Sequence, residues 1–292
     1  MDRPSQSFGG PWTQQKLEVL RKYLDAYTTA LKKQSFDLLY LDAFAGTGYR
    51  TLAQQVHATF EPFVERQAEA FLDGSARIAL EVKDKPFDRL IFIEQSRQKC
   101  VELEKLKAQH PGRGIEIIQG DANQALVQWC DRQNWKTQRA VLFLDPFATQ
   151  VEWATIDTVA RTRAIDTWIL FPVGAVGRML PGSRRPEEID QTWRNRLDTI
   201  FGTGQWTKAF YRPSVETGLF GEQAHQKRIA TAEVILDYFI ERLRTTFASV
   251  ADHYALLKNS RGAALFGLCF AAANEKGAPI ARRIAEHILK GM

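Results

Sequence analysis

Five short apolar runs limit the fold of this chain more than any other feature of its sequence. They are Leu38-Leu39-Tyr40-Leu41-Asp42-Ala43-Phe44 and the segments 89–94 (RLIFIE), 115–120 (IEIIQG), 140–145 (AVLFLD) and 167–172 (TWILFP). A strand with one face in water alternates apolar and polar residues, whereas a continuous apolar run suits a strand buried on both faces. Between the runs lie stretches of helical character, over 95–109, 123–133 and from near Glu152. Alternation of this kind predicts a doubly wound, mostly parallel sheet, and seven strands are expected in all. Leu17, Leu20, Leu24, Tyr27 and Leu31 recur at helical spacing behind Thr13, an N-cap residue type, and predict an N-terminal helix over about 13–33.

The spacing also marks additions to the sheet. The first and second runs are separated by an insertion over about 51–88, and a helical insertion is expected over about 183–250. Within the latter, Pro181 to Pro186 reads as a loop, Glu187 to Phe201 as a helix broken by Gly202 and Gly204, and Ala224 to Phe247 as a long helical stretch. The apolar runs 251–257 and 264–273 suggest a terminal hairpin turning at Asn259-Ser260-Arg261-Gly262. A last helix is expected from Pro279 to Leu289. At 292 residues the chain is read as one elaborated domain able to bury its own core.

Composition excludes several classes. No apolar run approaches the roughly 20 residues that span a bilayer, and the N-terminus lacks a signal peptide's apolar core, so the expectation is a cytoplasmic protein without a membrane partner. Cys100, Cys130 and Cys269 are widely spaced and odd in number, which argues against a disulfide framework and a zinc site. The five histidines form no pair at ligand spacing, so no metal site is expected. A net charge of +5 favours an acidic partner such as nucleic acid, and the stretch Arg161 to Arg196 holds seven arginines against four acidic residues. A solvated basic face is the alternative for that stretch. Trp193, Trp206 and Tyr211 lie among basic residues, but aromatics of this kind more often belong to a core.

Ligands of open α/β sheets bind outside the carboxyl ends of the strands, near the reversal of strand order. The candidates there are Asp42 with Phe44, Gly46 and Gly48, then Glu94, Asp121 with Ala122, and Asp145-Pro146-Phe147. Glycines after a strand allow a tight turn and close approach of a ligand to the backbone. A dinucleotide oxidoreductase would carry a third glycine and an acidic residue about 20 positions on. Here Thr51 occupies the third-glycine position, and Glu94 lies far beyond it. This favours S-adenosylmethionine as cofactor over a nicotinamide. Asp42 would face the cationic amino-acid part, Glu94 the ribose hydroxyls and Asp121 the adenine amino group. Asp145 and the Pro146 carbonyl can accept hydrogen bonds from an amino group awaiting methylation, with Phe147 stacking on the base that carries it. A strand-terminating turn is the plainer account of the same residues. Lys16 is read as solvated in the first helical turn, or as reaching a ligand carboxylate.

With these residues in view, the chain resembles the three-Cys-motif partner family (TcmP). The resemblance rests on Lys16, Leu20 and Tyr23, on Tyr40-Leu-Asp-Ala-Phe-Ala-Gly46, Gly74-Ser75-Ala76 and Phe92-Ile-Glu94. It continues in Phe143-Leu-Asp-Pro-Phe147, Trp153, Ala164-Ile-Asp-Thr-Trp168 and Phe171-Pro172, and weakens after about Pro181. It implies a Rossmann-like class I methyltransferase fold and a radical-adenosylmethionine-like partner protein bearing three cysteines. The Asp145-Pro146-Phe147-Ala148 segment is also similar to the Asp-Pro-Pro-Tyr of ribosomal-RNA methyltransferases acting on the adenine amino group. It lacks the second proline and carries its aromatic one position early. The expected function is methyl transfer to a nitrogen of a nucleic-acid base; the alternative is a non-catalytic module that scaffolds the three-cysteine partner.

Overall fold

The computed structural model of the chain describes residues 11–43, 74–146, 149–180, 186–218, 221–259 and 261–292. Helix α1 (Pro11–Leu31) leads into β1 (Asp37–Ala43), and residues 74–81 form helix α2. A regular alternation follows: β2 (Arg89–Glu94), α3 (Arg97–Gln109), β3 (Gly114–Gln119), α4 (Ala122–Asp131), β4 (Gln138–Leu144), α5 (Trp153–Arg161) and β5 (Ile165–Phe171). Each strand coincides with one of the apolar runs to within two or three residues. That match follows from burial, since β1 is buried at every position after Asp37 and β5 throughout.

The sheet runs in the order β3-β2-β1-β4-β5 and then continues through β10 (Ala264–Ala272) to β8 (Ser249–Val250). The first five strands are parallel, and β10 is antiparallel to β5. From β1 the chain winds outward to β3 and then returns to the other side of β1 at β4, so the order reverses between β1 and β4. Strand β9 (Ala255–Lys258) pairs with β10 through a hairpin and makes an eighth strand where seven were expected. In its turn, Asn259 Oδ1 accepts from the backbone N–H groups of Arg261 and Ala263, and Gly262 adopts a φ of +79°. Ser260 lies outside the described residues.

Two apolar layers cover the sheet. Alternation along β1 sends Leu39 and Leu41 to one face, where α4, α5 and α9 (Ala232–Arg244) pack, and Leu38 and Tyr40 to the other, against α1, α3 and α10 (Ala278–Lys290). Asp42 follows Leu38 and Tyr40 by the same period of two, and so belongs to the α1 face.

The segment after β5 departs from the sequence expectation. Helix α6 (Val173–Met179) follows the strand, and α7 spans Gln191–Phe201 rather than starting at Glu187, because Asp190 caps it by accepting from Thr192 N. Gly202 ends it in the left-handed region, as expected of a helix-terminating glycine. Helix α8 (Trp206–Phe210) then leads into the hairpin β6 (Tyr211–Gly218) and β7 (Gly221–Arg228). The long helix expected from Ala224 is thus a strand over its first residues. Its helical part, α9, begins only after Thr231, whose side chain accepts from Val234 N. Trp206 and Tyr211 are buried core residues, and none of the three cysteines is paired. Among the described residues no helix is long and apolar enough to cross a membrane.

Candidate functional site

The parallel arrangement brings the carboxyl ends of β1, β2, β3 and β4 to one edge of the sheet. Asp42 is the penultimate residue of β1, Glu94 the last of β2, Asp121 the residue before α4, and Asp145 the first beyond β4. Asp42 and Glu94 are both buried, an unusual placement for carboxylates that lack a full counter-charge.

Asp42 Oδ2 accepts from Ser75 Oγ at 2.5 Å and from the Tyr40 hydroxyl at 3.2 Å. These two donors solvate the carboxyl without neutralising it. Its pKa is raised to about 7: burial is the largest cause and the nearby Asp145 adds to it, while the Ser75 and Tyr40 hydrogen bonds and the Lys16 ammonium oppose the rise. The group therefore titrates near neutrality. Ser75, on α2, enters the sequence reading only as part of the family pattern.

Glu94 accepts from the Ser96 backbone N–H through Oε1, while its buried Oε2 has no hydrogen-bond partner among the described residues. Burial raises its pKa; the Ser96 N–H and the Lys99 charge oppose the rise. The Lys99 ammonium is buried and unpartnered as well. An orphaned carboxylate oxygen at a strand end costs free energy unless a ligand donor meets it, and a ribose hydroxyl is a donor of the right kind.

Asp121 caps α4 by accepting from Gln124 N at 3.0 Å. Beside it lies an open cavity of about 150 Å³ lined by Ile93, Gln95, Gly120, Asp121, Ala122 and Arg196, among others. Ala122, the first residue of α4, forms part of its apolar wall. Asn123 braces the floor, donating to Gln150 O and accepting from Glu152 N and Thr155 Oγ1. Arg196 reaches in from α7 and donates to Thr149. Sequence reasoning missed Arg196 because α7 lies far along the chain from the strand ends.

Asp145 is not open in the way its position suggested. Its Oδ2 lies 2.5 Å from Lys16 Nζ, and both side chains are shielded, at 2% and 10% exposure for Lys16 and Asp145. The solvated reading of Lys16 is therefore incorrect: the first turns of α1 deliver the ammonium to Asp145 at the sheet edge, where its charge also acts on Asp42. Pro146 is buried. Phe147 and, at the end of β1, Phe44, Gly46 and Gly48 lie outside the described residues, as do 51–73 of the insertion.

The described arginines of the basic stretch divide between exposed ion pairs and contacts within the fold. Arg161 pairs with Asp157 and Arg163 with Glu275, while Arg194 donates to Pro186 O and lies over the Trp206 ring. Arg184 and Arg185 lie outside the described residues.

No protein-family model and no curated protein matches this sequence. Among solved structures it is similar to yhhF of Escherichia coli, a proposed methyltransferase, at 15% identity over 73% of this chain and 86% of that one, with a TM-score of 0.30. A DUF574 family protein of Streptomyces avermitilis matches at 9% identity over 87% and 83%, with a TM-score of 0.36. A proposed methyltransferase of Thermobifida fusca matches at 10% identity over 90% and 84%, with a TM-score of 0.38. The fold assignment rests on the strand order and register of the chain itself.

Proposed function

We propose that the chain binds S-adenosylmethionine at the carboxyl edge of β1–β4 and is a methyltransferase acting on a nitrogen of a nucleic-acid base. The observation that carries this reading is the buried Glu94 Oε2, left without a hydrogen-bond partner among the described residues where β2 ends, between the Asp42 carboxyl and the polar cavity at Asp121. Glu94 would hold the ribose hydroxyls, Asp121 the adenine amino group and Asp42 the cationic amino-acid end, with Ala122 against the adenine. Phe44, Gly46 and Gly48, in the segment after β1, would complete the site. When bound, the cofactor supplies an electrophilic methyl group on its sulfonium sulfur.

The residues of the chain prepare the acceptor. The Pro146 carbonyl and Asp145 Oδ1 accept hydrogen bonds from an amino group and orient its lone pair, Phe147 stacks on the base, and the released proton passes to Asp145 or solvent. Lys16 fixes the Asp145 carboxylate by holding Oδ2. Titration with adenosylmethionine, followed by assay of methyl transfer to RNA and DNA, tests the proposal. Asp145→Ala is expected to bind cofactor and abolish transfer; unchanged transfer removes the role given to Asp145.

One observation favours a second reading. Lys16 already neutralises the carboxylate on which acceptor chemistry would depend. A chain that keeps the fold and the cofactor pocket without catalysis would act as a binding module for a three-cysteine, radical-adenosylmethionine-like partner, as the resemblance to the TcmP family implies. Co-purification of a stable complex, with no methyl transfer to any nucleic acid, is the outcome that reading expects.

A further inference from the structure

At the opposite edge of the sheet, where β4 and β5 begin, α1 and α10 flank a cavity of about 350 Å³. That volume falls within the roughly 300–1,000 Å³ of small-ligand sites. Its walls are apolar and aromatic, with Tyr27, Leu31, Ile280 and Ile284 among them. An extended chain rises about 3.3 Å per residue, so the run of β4 from Arg139 to Asp145 separates this cavity from the site above by about 20 Å.

Two opposite charges line the cavity without neutralising each other. Asp166 is 8% exposed and accepts from the Tyr23 hydroxyl through Oδ2 at 2.7 Å, while Oδ1 has no partner among the described residues. Arg139 donates through Nη1 to Trp135 O and Gln138 O, and its guanidinium lies 3.9 Å from the centre of the Phe36 ring. Arg139 and Asp166 form no ion pair, and the remaining guanidinium N–H groups make no hydrogen bond among the described residues. The Tyr27 hydroxyl, between the two charges electrostatically, is likewise without a hydrogen bond.

A purely anionic ligand would meet Asp166, a purely cationic one would meet Arg139 and Lys276, and an apolar one would leave both charges desolvated and unpaired. We infer that this cavity binds a small zwitterion with an apolar body, an apolar α-amino acid being the simplest member of the class. The ammonium meets Asp166 Oδ1, the carboxylate meets the free N–H groups of Arg139, and the side chain packs on Tyr27, Leu31, Ile280 and Ile284.

Calorimetric titration of the full chain with L-phenylalanine at pH 8, above the raised pKa of Asp166 so that its carboxylate is ionised, tests this, with 2-phenylethylamine and 3-phenylpropionate as probes that each keep one charge. L-Phenylalanine is expected to bind with a Kd below about 1 mM, and each single-charge probe about tenfold more weakly or worse. Asp166→Asn, which keeps an acceptor for Tyr23, and Arg139→Gln are each expected to weaken L-phenylalanine by a similar factor while melting cooperatively. Saturating adenosylhomocysteine is expected to leave this binding unchanged, whether or not it binds at the other edge. No heat with L-phenylalanine on the wild-type chain overturns the inference, as do equal affinities for all three probes or displacement by adenosylhomocysteine. Self-association abolished by Ile280→Glu, without L-phenylalanine binding, overturns it in favour of a contact between two copies.

Discussion

Lys16 on α1 and Asp145 beyond β4 form a buried ion pair at 2.5 Å across 129 residues of sequence. The pair ties the N-terminal helix to the sheet edge and sets the charge around Asp42, which is near both groups. Removing one member of a buried pair leaves the other uncompensated, at a cost of about 3–5 kcal/mol, whereas replacing both with apolar residues is often close to neutral. Lys16→Met is accordingly expected to lower the urea unfolding free energy by about that amount. The double variant Lys16→Met/Asp145→Leu is expected to recover most of it.

Asp42 should control cofactor affinity through pH. With its pKa raised to about 7, the carboxyl is largely neutral below that pH and attracts a cationic ligand only above it. The Kd for adenosylmethionine is expected to fall as pH rises from 6 to 8, by up to about tenfold per unit on the acid side. Asp42→Asn should flatten this profile. An equally steep profile in the variant would assign the titration to another group.

Asp166 links stability to pH in the opposite direction. Its pKa is raised from 3.8 to about 7 by burial, opposed by the Tyr23 hydrogen bond and the Arg139 charge, with Tyr27 also near. The folded state therefore holds a proton that the unfolded chain has lost. This contribution is complete below about pH 4 and disappears as pH rises through 7, at no more than about 1.4 kcal/mol per pH unit. Denaturation of Asp166→Asn across pH 4–8 should show a shallower decline than wild type.

Asp121 has two separable duties. Asparagine caps a helix about as well as aspartate, whereas alanine costs about 1 kcal/mol. Asp121→Asn should therefore retain stability and lose cofactor affinity, because its amide cannot match a carboxylate as acceptor from the adenine amino group. Asp121→Ala should lose both, as read by thermal unfolding alongside titration.

The sequence made the central sheet legible because β1, β2, β4 and β5 are buried on both faces and so read as uninterrupted apolar runs. The hairpin β6–β7 was missed for the converse reason. Its strands, YRPSVETG and GEQAHQKR, carry few apolar residues and no alternation, and the tail of β7 runs into the apolar start of α9. Asp42, Glu94 and Asp121 were legible because position at a strand end is local information. The Lys16–Asp145 pair and the reach of Arg196 to Thr149 were not, since both depend on contacts between elements far apart in sequence. Lys16 occupies a helical position where composition suggests only solvent.

The most direct test of the account is calorimetric titration of wild type and Glu94→Gln with adenosylhomocysteine at pH 8. Glu94 Oε2 is buried and has no hydrogen-bond partner among the described residues, and the amide is nearly isosteric but offers a poorer acceptor. The account predicts micromolar binding by the wild type, weakened by about tenfold or more in a variant that unfolds at a similar temperature. Absence of binding by the wild type, or equal affinity in Glu94→Gln, would contradict the placement of the cofactor at this edge of the sheet.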